Sequence, residues 1–513
     1  MFQLWSFANW VVKLQTGLYT LYLVHSATMT QIPFYDKPIK TIAIITIAVF
    51  ILYGLVLTCL PVFPFWIDEW LLLDNLKFKS AAQLWHGLDH TQQFPRVYLE
   101  IIKYFSAACN YSYFSLRLPS FLAHSFGLVL LYRLSRRIFP GNNLPRFLWV
   151  MIYISFSTSI HYFVQLKQYT MEMTLSLVGI WQLLELINME ARKPTRLTLC
   201  LLLLSFALCP FFSYTYPIVV APVYLVIVLR SFKLKRWCTA IWLPLFLGIV
   251  SILACYQLDT RHVLEDKGMQ DFWKDLLMKT FSARILFRNT YMMFRNLGTG
   301  DLFGNVYAIL GIVAFIYSSF AAIKNGLLVP TTRTILSQYS CALLWLVLGL
   351  FIAGKLPLGT FRLNSFVVAA LGFLIVNMLL QLYQNPRWKP FAVGLSLILF
   401  LANIGAIYAT ISELSGSEHA KKLRIYNASN RAIKEARQQG IPVLVTSGIA
   451  FPFDDRWTGD WILKTLPAYK VTDTIQVLAL PGVDRIAEYT HGLPNTIHAA
   501  IVLDGDAVET VHF

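Results

Sequence analysis

Apolar stretches long enough to cross a bilayer recur from Lys40 to about residue 411, and they constrain this chain more than any motif does. Hydropathy marks about eleven, near 41–63, 119–138, 145–164, 169–188, 197–213, 214–229, 238–256, 304–323, 335–353, 363–383 and 391–411. Backbone groups in hydrocarbon must bond within their own segment, so the expectation is an α-helical polytopic membrane protein. Pro210, Pro217, Pro222 and Pro244 shorten or interrupt three of the segments, which a bundle tolerates where neighbours satisfy the freed carbonyls. A chain 57% hydrophobic and 14% charged, with mean hydropathy +0.57, is too apolar for a soluble enzyme. Residues 1–38 stay open: Trp5 to Val24 is apolar but interrupted by Lys13 and Gln15, and no small-residue cleavage site follows. An interfacial helix, a poorly inserted first segment and an upstream start all fit.

The net charge of +16 has a topological source rather than nucleic acid as its partner. Arg133, Arg136, Arg137 and Arg146, then Arg192, Lys193 and Arg196, then Arg230, Lys233, Lys235 and Arg236 fill alternate loops. Lys324 with Arg333, and Arg387 with Lys389, continue the alternation, and Glu190 is the one acid among them. By the positive-inside rule these loops face the cytoplasm. The other side then holds the loop 64–118, the corner near Lys167, the hairpin tip near Tyr214, the loop 257–303, the turn 354–362 and everything from 412. Phe272, Trp273, Leu276, Leu277, Phe281, Ile285 and Leu286 give loop 257–303 the spacing of surface-lying amphipathic helices. The first outer loop is expected to carry amphipathic helices too. From 412 to 513 the composition changes. A charged helical stretch, Ala420 to Gln439, ends at Gly440, and strands are expected at Pro442–Thr446 and Ala499–Leu503, giving a small extracytoplasmic α/β domain after a transmembrane domain at 39–411.

Chemistry is most legible in Trp66-Ile67-Asp68-Glu69-Trp70. Asp68 and Glu69 sit between Pro61, Phe63, Pro64 and Phe65 on one side and Leu71, Leu72 and Leu73 on the other. Carboxylates held at a membrane edge among aromatic rings lose water and become candidates for proton transfer. From the pair alone, an interfacial turn with its acids facing water is the plainer reading. The outward cations Lys167, Arg362 and Arg117 shift the balance, although any one of them alone reads as a side chain snorkelling to headgroups. A phosphate held at headgroup level needs Lys or Arg, and an acceptor hydroxyl needs a carboxylate base. Glu172, about one turn below Tyr169 inside a span, is either a functional group or an interhelical hydrogen bond. Tyr169, Glu172 and Tyr214 are candidates to line the same cavity.

These residues resemble a known family. The acidic pair, then Phe94-Pro95-Arg96-Val97-Tyr98, then Arg117-Leu118-Pro119-Ser120 entering a span that ends Tyr132-Arg133-Leu134-Ser135-Arg136-Arg137, is similar to the dolichyl- and undecaprenyl-phosphate glycosyltransferases of the GT-C superfamily. Glycosyltransferase family 39, the protein-mannosyltransferase and aminoarabinose-transferase-like group, is the family resembled. Gln165 to Tyr169 and Pro357 to Arg362 match its later corners more loosely, and the likeness covers roughly residues 60 to 380. The resemblance implies a GT-C-like bundle and an inverting single displacement at the anomeric carbon. Asp68 would be the base, Glu69 would orient the acceptor or assist a cation, and Lys167, Arg362 and Arg117 would bind the donor's lipid phosphate. Implied partners are a polyprenyl-phosphate sugar, membrane lipid, and a glycan, lipid or protein acceptor, at the periplasmic or exterior face of a bacterial inner membrane. Where the family has Arg-Pro-Tyr this chain has Lys167-Gln168-Tyr169, a point charge in place of a fork.

No cofactor is demanded, and a divalent cation is compatible with the chemistry. His86 and His90 flank Asp89, but Gly87 breaks the helix that would align them, so no metal site is assigned. A transporter or flippase of lipid-linked glycans would also use membrane-embedded charges, but near the midplane and in repeated broken helices that are not visible here. An envelope glycan polymerase or ligase would share the chemistry and differ in donor.

Overall fold

In the computed structural model the apolar runs coil into helices, each closing its own backbone hydrogen bonds as hydrocarbon requires. The structure describes residues 36–59, 65, 67–90, 92–156, 162–235, 238–298, 301–325, 331–414, 417–446, 477–480, 499–504 and 507–512. The amino-terminal stretch, whose placement the sequence leaves open, lies outside the described residues up to residue 35, as does the proline-bearing entry 61–64. Among the described residues nine helices are long and apolar enough to cross a membrane, and the protein is an α-helical polytopic membrane protein.

Two compact units divide the chain. The larger comprises residues up to Gly54 and Ser120–Ser412. It contains most of α1 (Asp36–Cys59) and α5 (Tyr113–Ile138), and then α6 (Asn143–Ser155), α7 (Tyr169–Ala191), α8 (Arg196–Leu208), α9 (Tyr216–Leu234) and α10 (Thr239–Cys255). After short helices α11 (Arg261–Glu265) and α12 (Lys267–Trp273) come α13 (Ala283–Arg295), α14 (Asp301–Asn325), α15 (Thr332–Ile352), a 3-10 turn Phe361–Val367, α16 (Val368–Gln384) and α17 (Lys389–Leu414).

The most enclosed element is α16, buried continuously from Val368 to Leu380. Gly372 lets α6 approach it, since a side chain there would meet Ile152 and Trp149, and the Trp149 indole donates to Ala369 O at 2.9 Å. Polar side chains join helices where apolar packing alone would not fix their register. Gln182 of α7 donates to Tyr216 of α9 at 2.7 Å, and Tyr339 of α15 donates to Val219 O at 3.2 Å. Asn403 Oδ1 of α17 accepts from both Ser155 of α6 and Tyr307 of α14.

One expected span changes form: 197–213 becomes α8 followed by a 3-10 turn Cys209–Phe212. Of the run 145–164, α6 covers the part up to Ser155, and 157–161 lie outside the described residues. Every side chain from Phe147 to Ser155 is buried, so α6 lies against protein. On the basic side, Arg137 pairs with Glu185 at 2.6 Å and Arg230 with Glu190 at 2.7 Å.

The smaller unit comprises Leu55–Pro119 and Glu413–Phe513, so the loop 64–118 and the carboxy-terminal segment belong together. The loop supplies α2 (Ile67–Phe78), α3 (Ala81–His86) and α4 (Arg96–Ala108). Asn75 ties α2 to the next loop, accepting from Asp89 N at 2.7 Å, and the C-terminus of α2 is capped by Lys103, whose ammonium donates to Leu76 O and Lys79 O at 2.7 and 2.6 Å. The carboxy-terminal part begins with α18 (Ser417–Gln439) and continues into a sheet ordered β2 (Val477–Leu480), β1 (Val443–Thr446), β3 (Ala499–Asp504), β4 (Ala507–His512). Strand β1 runs parallel to β2 and β3, and β4 closes antiparallel on β3. Ile425, Ser429, Ala432, Ile433 and Ala436 bury one face of α18 at helical spacing. Gly440, with φ 68, ends that helix, and Ile441 N returns to Ala436 O at 3.2 Å, a Schellman closure.

Candidate active site

The two carboxylates singled out in the sequence occupy the first turn of α2, where the helix dipole favours negative charge. Asp68 is half-buried and Glu69 is 1% exposed. The apolar flanks serve as walls: Phe65, Trp70, Leu72 and Leu73 are all buried, and the Phe65 and Trp70 rings meet edge-on at 5.1 Å. Arg117 is fully buried, with its guanidinium 3.7 Å from the Tyr113 ring centroid and 5.1 Å from that of Phe65. Such stacking on two rings suits a planar guanidinium and would not suit lysine.

Tyr426, on α18, completes this aromatic box against Phe65, Trp70 and Tyr113 at 6.4, 6.2 and 6.1 Å between centroids. Burial pushes its phenol up to about 12, against the opposing pull of its hydrogen bond with Asn430 and the field of Arg117. Sequence reasoning missed Tyr426, because a single Tyr in a charged helix carries no local signal. The motif residues Phe94 and Tyr98 stack at 5.3 Å beside a buried Arg96 at the start of α4. His90 Nε2 lies 3.0 Å from Asp74 Oδ2, and no group of three metal-ligating side chains exists among the described residues.

In the larger unit, the corner 162–168 leads into α7. Ser120 pins it by donating to Gln165 O at 2.6 Å and Lys167 O at 3.2 Å, and the Tyr162 and Tyr169 rings meet at 4.5 Å. Lys167 is 4% exposed, and Gln168, Tyr169, Thr170 and Glu172 are buried beside it. A lysine that merely snorkelled would keep its ammonium open to water; this side chain is enclosed by protein. Glu172 accepts from Ser365 Oγ at 3.5 Å, a long hydrogen bond that links α7 to the 3-10 turn Phe361–Val367. That turn carries Arg362, so segments 193 residues apart in sequence, one bearing Lys167 and the other Arg362, pack together.

The turn ahead of Arg362 is held from loop 257–303. Gly354 and Gly359 adopt φ of 64° and 90°, and added side chains would meet Met278 O and Asn289 Oδ1, each at 2.8 Å. Asn296 of α13 donates to Gly359 O at 3.0 Å. Tyr214, at the tip between α8 and α9, donates to Asp259 Oδ1 at 2.7 Å. Asp259 is buried in a π turn, Tyr256–Thr260, that extends α10. It was not anticipated, since hydropathy ends the span at 256.

No family model and no curated protein matches the sequence. Among solved structures the chain is similar to ArnT from Cupriavidus metallidurans bound to undecaprenyl phosphate, with TM-score 0.46 and 9% identity over 90% of this chain and 92% of that one. It is also similar to the Archaeoglobus fulgidus oligosaccharyltransferase in complex with zinc and sulfate, with TM-score 0.44 and 12% identity over 84% of this chain and 62% of that one.

Proposed function

We propose that the protein is a glycosyltransferase that moves a sugar from a polyprenyl-phosphate donor to a hydroxyl acceptor at the non-cytoplasmic face of the membrane. The acceptor oxygen attacks the anomeric carbon as the bond from that carbon to the phosphate oxygen breaks, inverting the centre in one displacement. Asp68 takes the acceptor proton, and Glu69, buried one residue on, orients the acceptor. The departing polyprenyl phosphate gains negative charge, and Lys167 and Arg362 stabilise it.

The same reading assigns Arg117, held by the rings of Tyr113 and Phe65, to the donor's phosphate. It also assigns Tyr169, Glu172 and Tyr214 to the lining of the donor side. The observation that carries the reading is the Glu172–Ser365 link, which packs the Lys167 corner against the turn bearing Arg362. Two outward cations on adjoining segments suit a phosphate, as the sequence resemblance implies for these positions.

The test is transfer by purified protein in detergent, given a labelled polyprenyl-phosphate sugar and candidate acceptors. Asp68→Asn should abolish transfer, and unchanged turnover would remove Asp68 as the base. Lys167→Ala and Arg362→Ala should raise KM for the donor far more than for the acceptor. Equal effects on both substrates would remove the phosphate role.

A further inference from the structure

A second polar site lies at the other end of α16. The ends of α14, α15 and α16 enclose a pocket of about 160 Å³ whose wall includes Arg333, Thr331, Thr334, Ser337, Asn377 and Gln381. Asn377 and Gln381 stand roughly 18 and 24 Å along the helix from Ser365, so the pocket is separate from the corner that holds Lys167. Ser318, Ala321 and Ala322 leave the room on α14, and no acidic side chain among the described residues lines the space.

Three features describe an occupant. Arg333 makes no ion pair among the described residues, and it projects from the first turn of α15. In that turn Thr331 caps Thr334 N at 3.3 Å, leaving earlier N–H groups of the helix available to an anion. Asn377 is 3% exposed, its Nδ2 donates to Ser337 Oγ at 3.1 Å, and its Oδ1 has no partner among the described residues. A buried acceptor without a partner on a side chain of the pocket wall asks for a donor, which a small turn of the amide would bring within reach. The pocket therefore combines an anion-binding end with a site for a hydroxyl.

The rim identifies the source. Tyr317 of α14 is both exposed and part of the wall, near the end of a helix long and apolar enough to cross a membrane, which opens the pocket toward acyl chains. We propose that this pocket binds the headgroup of a phospholipid that carries both a phosphate and a free hydroxyl. The phosphate meets Arg333 and the first turn of α15, the hydroxyl donates to Asn377 Oδ1, and the chains lie along α14. This assignment does not depend on the glycosyltransferase reading.

Native mass spectrometry of the full chain in detergent, titrated with phosphatidylglycerol or phosphatidylcholine, tests it. Phosphatidylglycerol should be retained about fivefold better than phosphatidylcholine, and that preference should vanish in Arg333→Gln and in Ala322→Phe, which fills the space without altering charge. Arg333→Lys should keep most of it. Arg333 is only half-buried, so its variants fold even where Ala322→Phe does not. Equal retention of the two lipids by the unaltered protein would overturn the proposal, as would a preference unchanged in Arg333→Gln. Complete displacement of phosphatidylglycerol by millimolar inorganic phosphate would overturn the lipid assignment and give the site to the free ion.

Discussion

Gly359→Ala strikes at the turn that leads into the 3-10 segment carrying Arg362. At φ 90° an alanine Cβ costs about 1–2 kcal/mol in backbone strain alone. The new methyl would sit 2.8 Å from Asn289 Oδ1 and 3.5 Å from Met292 Cβ, so either Asn289 swings away or the turn tilts. A tilt also endangers the 3.0 Å bond from Asn296 to Gly359 O, worth roughly 1 kcal/mol. The expected loss is therefore about 2–3 kcal/mol, felt as a lower apparent melting temperature and as weaker donor binding, with about tenfold in KM for every 1.4 kcal/mol that reaches the site. Gly349→Ala is the matched control: it lies inside α15 with nothing within 4 Å of an added Cβ, and should stabilise by up to about 1 kcal/mol. Both variants would be compared by thermal unfolding in detergent and by transfer at varied donor concentration. A Gly359→Ala protein that melts with the unaltered chain and keeps its donor KM would refute the idea that loop 257–303 holds this turn for the donor.

Ser365→Ala should raise donor KM several-fold with little effect on acceptor KM, because it cuts the link to Glu172 while leaving Arg362 in the chain; kinetics with each substrate varied in turn will tell. Arg117→Met should lower stability by about 1–2 kcal/mol through lost stacking on Tyr113, and Arg117→Lys should recover little of it, as read by thermal unfolding. Tyr426 holds its proton to about 12, above the ordinary phenol value of 10, so its contribution is complete below pH 10 and is lost as pH rises toward 12. Tyr426→Phe should therefore flatten the alkaline limb of the stability profile between those values, measured as melting temperature against pH.

Hydropathy makes most of the bundle legible because hydrocarbon acts on every residue of a span alike. It did not foresee that the side chains of α6 are covered by protein, since periodicity records how apolar a segment is and not what covers it. Gly440 and the strand after it were readable because a helix stop is local chemistry. The candidate site was readable as single residues: Asp68 and Lys167 stand out by being charged among apolar neighbours. Their supports were not. Tyr426 meets Phe65 across more of the chain than any pattern spans, Ser365 is an ordinary serine until Glu172 faces it, and Asp259 hides in a turn past the end of its span.

Asn403 serves Ser155 and Tyr307 with a single carbonyl oxygen, so three helices drawn from the early, middle and late parts of the polypeptide share one fastening. Pulled from its carboxy terminus by an atomic force microscope, the chain should therefore resist as α17 is drawn out, and then release α14 and α6 at reduced force. Replacing that amide with leucine should lower the force at which α17 leaves and let the three helices leave independently.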